Sequence, residues 1–266
     1  MKRLRSAAWV ALGLLASAAL LVDVIPGSSY AHQFRDMPLA PASWRFPLGT
    51  DALGRDRFFR LLYATRISLL LAPGAAFLST LVATTVGALA GYCGGTFDRV
   101  AVRAIDLMLS LPWVFLLIAA RALLPLNASP SDSLLITFAL LGLLGWAASA
   151  RVIRAGARQI RHSDFVLQSR ACGCGGWRLL ARQVAPNLRP ILVAQFWTSI
   201  PLFILSEANL GLLGLGVSEP LPSWGSMLRE LETDLTFNPG VLACLALLVM
   251  VLGCFKILLP SDNFRS

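Results

Sequence analysis

Charged side chains are scarce in this chain of 266 residues, of which they make up 14%. Soluble globular domains carry about 25% charged residues. Hydrophobic residues make up 56% of the chain instead, which is more apolar side chain than the core of a soluble protein of this length can hold. The scarcity of charge therefore excludes an ordinary soluble domain and favours a protein that lies in a membrane.

Lysine and the common catalytic motifs are also nearly absent. The only lysines are Lys2 and Lys256, and neither follows a Gly-x-x-x-x-Gly run, so the chain has no P-loop for ATP hydrolysis. It contains no His-Glu-x-x-His and no Gly-x-Ser-x-Gly motif, which excludes the zinc proteases and serine hydrolases built on them. An intramembrane aspartyl protease would need two acidic residues that face each other in the membrane. The candidates, Asp106 and Glu207, are expected near opposite membrane faces, too far apart to share a proton. We therefore predict no catalytic residue and no cofactor, with a membrane-embedded enzyme as a distant alternative.

Metal-binding patterns are missing as well. The two histidines cannot build a multi-histidine site. Cys172 and Cys174 are separated by one residue rather than two, and no second pair follows them. Cys244 and Cys254 lie inside an apolar run, where cysteine commonly acts as a small hydrophobic residue. We predict no metal site.

Six long apolar runs dominate the sequence. A helix needs about 20 predominantly apolar residues to cross the hydrocarbon core of a bilayer. Backbone polar groups in lipid must be satisfied within the segment, which favours helices. The fold class predicted is all-α, a polytopic membrane protein with six transmembrane helices. The runs lie near residues 7–25, 69–92, 104–124, 134–150, 189–216 and 239–259.

The basic residues between the runs indicate an orientation. If the N-terminus is cytoplasmic, fifteen of the 23 lysines and arginines fall on the cytoplasmic side and eight on the other, in the direction of the positive-inside rule. Six of the eight lie in the single segment 26–68. The net charge of +9 does not indicate a nucleic-acid partner, because the basic residues do not cluster in a soluble module with aromatic residues.

The N-terminus allows a second interpretation. Residues 1–31 combine a basic start, an apolar run and Ser29-Tyr30-Ala31, a pattern typical of a cleavable secretory signal. The run from Ala7 to Val22 slightly exceeds a usual signal core. An uncleaved first transmembrane helix is favoured.

A dense pattern of polar and glycine positions precedes the second apolar run. It reads Leu-Gly-Thr-Asp-x-x-Gly-Arg-Asp from Leu48 to Asp56, then Arg-x-Ser-Leu from Arg66 to Leu69. This pattern resembles the hallmark of the dipeptide/oligopeptide/nickel permease family of ABC importers, in its shorter C-type subunit. The site residues that carry the resemblance here are Gly49, Thr50, Asp51, Gly54, Arg55, Asp56 and Arg66.

These residues suggest a compact external elbow. The two glycines allow tight turns, and Asp51 and Asp56 can pair with Arg55 or Arg66. Such local pairing also explains why an external segment is basic. A purely structural turn accounts for the whole pattern without a binding role.

A second resemblance lies between Asp164 and Asn187. This segment resembles the EAA loop of ABC importer permeases, which reads roughly Glu-Ala-Ala, then Gly, then Pro-Asn about thirteen residues on. The matching positions are Arg170, Ala171, Gly173, Pro186 and Asn187. Leu167, Gln168 and Ser169 stand in place of Glu-Ala-Ala, and Gln183 stands in place of the usual histidine.

The residues of this segment favour two short helices. Ser163 or Asp164 can cap the first helix, and Gly173 suits a left-handed stop at its end. A second helix is expected from about residue 176 toward Ala185, which Pro186 biases out of the helical region. Two short helices joined by glycines form a cytoplasmic knob of the kind that docks into a separate ATPase.

Four arginines precede the knob on one narrow helical face. Their spacing of three and four residues predicts that they project together, and two partners remain open for them. One is the anionic head groups of membrane lipids, and the other is the ATPase. The four are Arg151, Arg154, Arg158 and Arg161.

Glu207 lies in a third stretch that resembles the family, Ser206-Glu207-Ala208. It follows Arg189 by eighteen residues, or about 27 Å along a helix, which places it near the outer boundary. A buried acid there is costly unless paired, so an arginine from the elbow is an expected partner. A structural ion pair and a role at a gate are both open.

The resemblance divides the chain into four parts. An N-terminal transmembrane helix at 1–25 is followed by the external elbow at 26–68. A five-helix core covers 69–260, with a cytoplasmic coupling loop at 151–188 within it. Residues 261–266 form a cytoplasmic tail.

The resemblance also implies a function and partners. It implies a permease subunit in the bacterial inner membrane that moves di- or oligopeptides by alternating access, with nickel chelates or another small solute as the alternative cargo. The implied partners are a second homologous permease subunit, two cytoplasmic ABC ATPase subunits and an extracytoplasmic solute-binding protein.

Overall fold

The computed structural model describes residues 2–25, 27–122, 129–230 and 239–259, and within these ranges the chain is mostly helical and has no β-strand. The tail expected at 261–266 lies outside the described residues. A 3₁₀ turn, Leu21–Val24, extends α1, and a π-helical turn, Leu180–Val184, joins α8 to α9. The helices are α1 (Lys2–Leu20), α2 (Arg57–Cys93), α3 (Gly95–Ser110), α4 (Trp113–Ala122), α5 (Pro130–Leu144), α6 (Trp146–Arg161), α7 (Asp164–Ala171), α8 (Gly176–Leu179), α9 (Ala185–Leu212), α10 (Trp224–Leu228) and α11 (Pro239–Leu258).

Five helical segments are long and apolar enough to cross a membrane. A sixth span exists if α3 and α4, which are bent by 88° relative to each other, count as one broken crossing. The prediction of an all-α polytopic membrane protein is confirmed, and the described residues contain five or six candidate crossings. The five segments are Arg3–Val24, Arg57–Cys93, Pro130–Arg161, Gly176–Leu212 and Pro239–Leu258.

The third apolar run does not form one helix. The run at 104–124 predicted a continuous span, but α3 ends at Ser110 and α4 begins at Trp113. Leu111 adopts an extended conformation, with ψ of 131°, because the ring of Pro112 disfavours the helical region for the residue before it. The run predicted as the third span is therefore divided between two helices.

Two other spans extend beyond their apolar runs. Helix α2 begins at Arg57, twelve residues before the expected start at 69, so the last part of the predicted elbow is helical. The side chain of Asp56 accepts a hydrogen bond from the Phe58 amide and caps this end. The fourth span likewise continues to Arg161. An apolar run marks only the part of a helix that suits lipid, whereas capping residues decide where the helix ends.

Helix α2 lies at the centre of the bundle and contacts most of the other helices. Two of its glycines allow α6 to approach closely. A Cβ atom on Gly87 would lie 2.6 Å from the carbonyl oxygen of Ala150, and one on Gly91 would lie 2.4 Å from that of Arg154. Close contact through small residues is the usual way in which helices associate inside a membrane.

Two buried clusters occupy opposite ends of α2. The first contains Leu61 and Ala72 of α2 with residues of α1, α9, α10 and α11. The second contains Ala83 and Ala88 of α2 with residues of α3, α6 and the short helices that follow α6. Helix α2 is 37 residues long, or about 55 Å, so the elbow before it and the short helices near its other end lie on opposite sides of the bundle.

Candidate functional site

The elbow is organised around Thr50 and Asp51. The Thr50 hydroxyl donates to the carbonyl of Met37 at 2.7 Å and accepts from the amide of Ala40 at 2.8 Å. Asp51 Oδ1 accepts from the amides of Leu53 and Arg55 at 2.9 and 2.8 Å. Thr50 is fully buried and Asp51 almost so. Together with backbone bonds between Leu39 and Asp51 and between Ala40 and Thr50, these contacts make the elbow compact.

Two glycines of the motif are required by this geometry. Gly49 and Gly54 both have φ of +74°, a left-handed conformation that glycine adopts at little cost. A Cβ atom on Gly54 would also lie 2.3 Å from the carbonyl oxygen of Phe34. A side chain there would force the two parts of the elbow apart.

Arg55 connects the elbow to the segment that follows α9. Its Nε donates to Asp51 Oδ2 at 2.6 Å, as the sequence predicts. Its Nη1 pairs with Glu219, which also accepts from Arg60 Nη2 at 3.3 Å. Although burial lowers it, the pKa of Arg55 is raised on balance by its hydrogen bonds to the carboxylates of Glu219 and Asp51. The elbow is thereby fixed to a part of the chain more than 150 residues away.

A second link of this kind joins Arg57 to Glu230. The Nε of Arg57 lies 2.8 Å from Glu230 Oε2. Burial raises the pKa of the Glu230 carboxyl, and the charge of Arg57 opposes that shift. Sequence reasoning missed both Glu219 and Glu230. The sequence did contain a signal for these partners, since both acidic residues lie on the same predicted side of the membrane as the unusually basic segment.

Two pairings expected within the elbow are not present. Arg66 pairs with Asp23 at the end of the first span rather than with Asp51 or Asp56. Asp56 accepts hydrogen bonds from backbone amides and caps α2 instead of meeting an arginine. Burial raises the pKa of the Asp56 carboxyl, while the amides of Phe58 and its neighbour lower it. Arg66 lies nearly three helical turns beyond the cap, which explains why it reaches the first helix instead.

At the other end of α2, the first short helix, α7, ends as expected. Gly173 has φ of +83°. Its amide donates to Arg170 O at 2.9 Å, and the amide of Cys174 donates to Ser169 O at 3.1 Å. This pair of bonds is a Schellman motif. The predicted left-handed stop at Gly173 is confirmed.

Two details of these short helices differ from prediction. Ser163 occupies the cap position of α7, but its hydroxyl donates to Ile160 O at 2.6 Å and caps nothing. Ala185 stays helical, at φ −60° and ψ −43°, although Pro186 follows it. Proline has no amide to donate and its ring crowds the preceding turn. The π-helical turn Leu180–Val184 widens the helix at that point and allows it to continue.

The two short helices are tied together at the positions that depart from the family pattern. The Nε2 of Gln183 donates to the hydroxyl of Ser169 at 2.5 Å, and Ser169 donates in turn to Phe165 O at 2.9 Å. The Nδ2 of Asn187 donates to Gln183 O at 2.7 Å. Ser169 and Gln183 therefore supply a polar contact between the helices without a glutamate or a histidine.

We call the residues 164–184 the knob. Its inner side is buried, with Val166 and Leu179 packed into the second buried cluster. Its outer side exposes apolar side chains, among them Phe165, Leu167 and Trp177, the last 75% exposed. The other predicted coupling residues, Asp164, Gln168, Arg170, Ala171 and Asn187, are exposed too, and Pro186 is half-buried.

The four arginines before the knob divide into two pairs. Arg151 pairs with Asp106, and Arg154 Nη2 lies 2.7 Å from Asp98 Oδ2. These contacts attach α6 to α3. Arg158 and Arg161 line a small polar cavity beside Asp98 and His162.

Glu207 does not pair with an arginine of the elbow. Its side chain is 0% exposed, and among the described residues neither carboxylate oxygen accepts a hydrogen bond of acceptable geometry. Helix α10 lies directly against α9 beside it, since a Cβ on Gly211 would be 2.6 Å from the Cα of Gly225. The expected ion pair is wrong: Arg55 pairs with Glu219, Arg57 with Glu230 and Arg66 with Asp23 instead.

No group of three or more potential metal ligands occurs among the described parts of the chain. What the geometry provides is a bundle of membrane-crossing helices with an ordered polar elbow at one end and an exposed helical knob at the other. Two such ends joined by long apolar helices define the class of protein, a helical membrane protein that crosses the bilayer several times.

Comparison with known proteins gives the family. The model of the family described as binding-protein-dependent transport system inner membrane component matches residues 83–259, which is more than half of the chain. The chain belongs to this family, and it is a multi-pass protein of the bacterial inner membrane.

Named relatives cover most of the chain. The di/tripeptide transport system permease protein DppC of Pseudomonas aeruginosa is 33% identical over 258 residues, 95% of this chain and 83% of that protein. The oligopeptide transport system permease protein OppC of Haemophilus influenzae is 31% identical, over 82% of this chain and 68% of that protein. The glutathione transport system permease protein GsiD of Pectobacterium atrosepticum is 32% identical, over 82% and 70%.

Proposed function

We propose that this chain is the transmembrane permease subunit of an ABC importer for di- or oligopeptides. The observation that carries the proposal is the similarity to a di/tripeptide permease across 95% of the chain, which includes both the elbow and the knob. The importer also contains a second, related permease subunit, two cytoplasmic ABC ATPase subunits and an extracytoplasmic solute-binding protein. The chain supplies the path across the membrane, and its partners supply ATP hydrolysis and solute capture.

The knob is the part of the chain that receives the ATPase. An exposed tryptophan and its apolar neighbours are the residue types that dominate protein–protein contacts, and Trp177 and Phe165 are displayed on its outer side. The bond between Ser169 and Gln183 keeps the two short helices in one arrangement. A rigid knob transmits the movement of the ATPase, whereas a loose one would absorb it.

The movement reaches the membrane through three helices. Helix α6 enters the knob at one side, and α9 leaves it at the other through the π-helical turn Leu180–Val184. The hydroxyl of Tyr92, at the end of α2, donates to Gly176 O at 2.7 Å. Displacement of the knob therefore tilts α2, α6 and α9 together, which is the kind of rigid-body motion that alternating access requires. Arg158 and Arg161 flank the knob and contact lipid head groups or the ATPase.

The elbow holds the external end of this assembly in place. Arg55 and Arg60 clamp Glu219, while Arg57 clamps Glu230. These pairs fix the start of α2 to the segment between α9 and α11. Their role is structural support for the bundle during the transport cycle.

Deletion of the gene in its own bacterium tests the proposal. Uptake of a radiolabelled dipeptide should fall when the gene is deleted and recover when it is restored on a plasmid, while uptake of the free amino acids stays unchanged. Labelled nickel with a chelator is the matched alternative cargo. Loss of nickel uptake together with normal dipeptide uptake would overturn the assignment of cargo.

A further inference from the structure

A charged cavity lies between the elbow and the segment that follows α9. Its volume is about 250 Å³. The exposed residues Leu39 and Leu53 also line it, so the cavity reaches the surface. Its charged lining consists of Asp51, Arg55, Arg57, Arg60, Glu219 and Glu230.

Arg60 is the residue in this cavity whose hydrogen bonds are incomplete. Its side chain is 2% exposed. Nη2 donates to Glu219 Oε1 at 3.3 Å, but Nε lies 3.7 Å from Asp51 Oδ2, which is beyond hydrogen-bond range. Among the described residues neither Nε nor Nη1 has a hydrogen-bond acceptor. A guanidinium carries five N–H donors, and leaving buried donors without acceptors is costly.

The carboxylates around Arg60 are already engaged by other groups. Asp51 accepts from two backbone amides and from Arg55 Nε. Glu230 is held by Arg57 at 2.8 Å. Glu219 also pairs with Arg55, but its own side chain is 56% exposed and it lies 3.3 Å from Arg60 Nη2. Water and salt weaken an ion pair whose carboxylate is exposed, so another anion can compete with Glu219 for Arg60.

We propose that this cavity binds a carboxylate through Arg60, with Glu219 as the internal competitor that occupies part of the site when it is empty. A planar carboxylate matches the fork of N–H donors on a guanidinium better than a spherical anion does. The carboxylate comes either from a small free acid or from the C-terminus of a short peptide. The site lies at the opposite end of α2 from the knob and is additional to the transport role proposed above.

Thermal unfolding of the complete permease–ATPase complex, without the solute-binding protein, tests the proposal. Sodium acetate is titrated against sodium chloride at equal sodium concentration. A ligand that binds the folded state raises the midpoint temperature of unfolding in a saturable manner. Acetate should therefore raise this temperature and chloride should not. Arg60→Met should lose the rise. The matched control is Arg66→Met, on the same helix but paired with Asp23 outside the cavity, which should retain it. An equal rise in Arg60→Met would show a general salt effect and overturn the proposal.

A second variant tests the proposal even if Arg60→Met does not assemble. Glu219→Gln keeps the shape of the side chain and removes the competing charge. The acetate concentration at half-saturation should fall about two- to five-fold, the range in which an exposed ion pair contributes. An unchanged or higher concentration would overturn the proposal.

The source of the carboxylate is distinguished with alanyl-alanine and its C-terminal amide. If the dipeptide raises the midpoint and the amide does not, the site reads a peptide C-terminus. A rise with acetate alone identifies small free acids as the ligand, and both results support the proposal. An equal rise with the amide would overturn it. Because unfolding requires no transport, failure of the uptake experiment leaves this test unaffected.

Discussion

Replacement of Gly173 by valine tests whether the shape of the knob matters for coupling. Gly173 has φ of +83°, and a Cβ atom built there would have no heavy atom within 4 Å. The free-energy cost of adding a side chain at this position therefore comes from the backbone conformation alone. An L-residue held in the left-handed region costs about 1–2 kcal/mol. Valine can relieve this strain only by opening the Schellman bonds from Gly173 to Arg170 and from Cys174 to Ser169.

The cost translates into a loss of affinity for the ATPase. If the ATPase binds only a knob in which both Schellman bonds are formed, the apparent dissociation constant rises as the fraction of knob in that form falls. A penalty of about 1–2 kcal/mol corresponds to a loss of about five- to thirty-fold, since 1.4 kcal/mol is a factor of ten. Membrane insertion and pairing with the second permease should be unaffected, because Gly173 is exposed and lies outside the candidate membrane-crossing segments.

Gly175 provides a matched control within the same loop. It has φ of −66° and ψ of 151°, a conformation that valine adopts readily, and a Cβ atom at this position would also meet open space. The assay is titration of the ATPase subunits onto permease pairs held in nanodiscs. Gly175→Val and Glu219→Ala, the latter at the far end of α2, should bind as the natural chain does. Equal binding by Gly173→Val would refute the assignment of the knob as the docking element.

Four further outcomes are expected. Reporter fusions after residue 165 should read cytoplasmic and those near residue 45 external, and a cytoplasmic signal at 45 would contradict the orientation. The purified chain alone should hydrolyse no ATP, and turnover free of contaminants would disprove this. Gln183→Ala, which removes the bond to Ser169, should uncouple ATP hydrolysis from uptake, whereas tight coupling would show that the bond is dispensable. Glu207→Gln should leave the amount of assembled complex unchanged or higher, because the buried carboxyl has no basic partner among the described residues and a charge there would be costly; a lower amount would reveal a charged partner.

Composition and long apolar runs were sufficient to predict the class of fold. Lipid requires long apolar helices, so the runs indicate where the spans lie, although not where each helix begins, ends or breaks. Glycine carries a similarly direct signal, because few other residue types adopt the left-handed conformation at a helix end at low cost. The stop at Gly173 was therefore predictable from the residue itself.

Proline was harder to interpret from the sequence. Pro112 breaks the third apolar run, whereas Pro186 leaves the helix intact through a π-helical turn. Both prolines lack an amide and crowd the preceding turn. The difference depends on whether packing around the helix tolerates a wider turn, and Leu180 and Val184 of the π turn are buried in a cluster that fixes it. Such tertiary context is absent from local sequence.

Long-range charge pairing was the other feature that the sequence did not predict. The sequence indicated that the basic elbow needed acidic partners, but it assigned them locally and gave Glu207 an arginine. The structure uses Glu219 and Glu230 instead, across more than 150 residues. Which acid meets which arginine depends on how α10 lies against α9, and no spacing in the sequence encodes that.

Transport by the reconstituted importer is the most direct measurement of the proposed role. Proteoliposomes would contain this chain, its partner permease and the two ATPases, with ATP inside and the solute-binding protein with a labelled dipeptide outside. Accumulation of the dipeptide is expected when ATP is present and the chain is intact, and it should be lost with Gly173→Val but not with Gly175→Val. ATP-dependent accumulation of the dipeptide by vesicles that lack this chain, or none by vesicles with all components, would contradict the assignment.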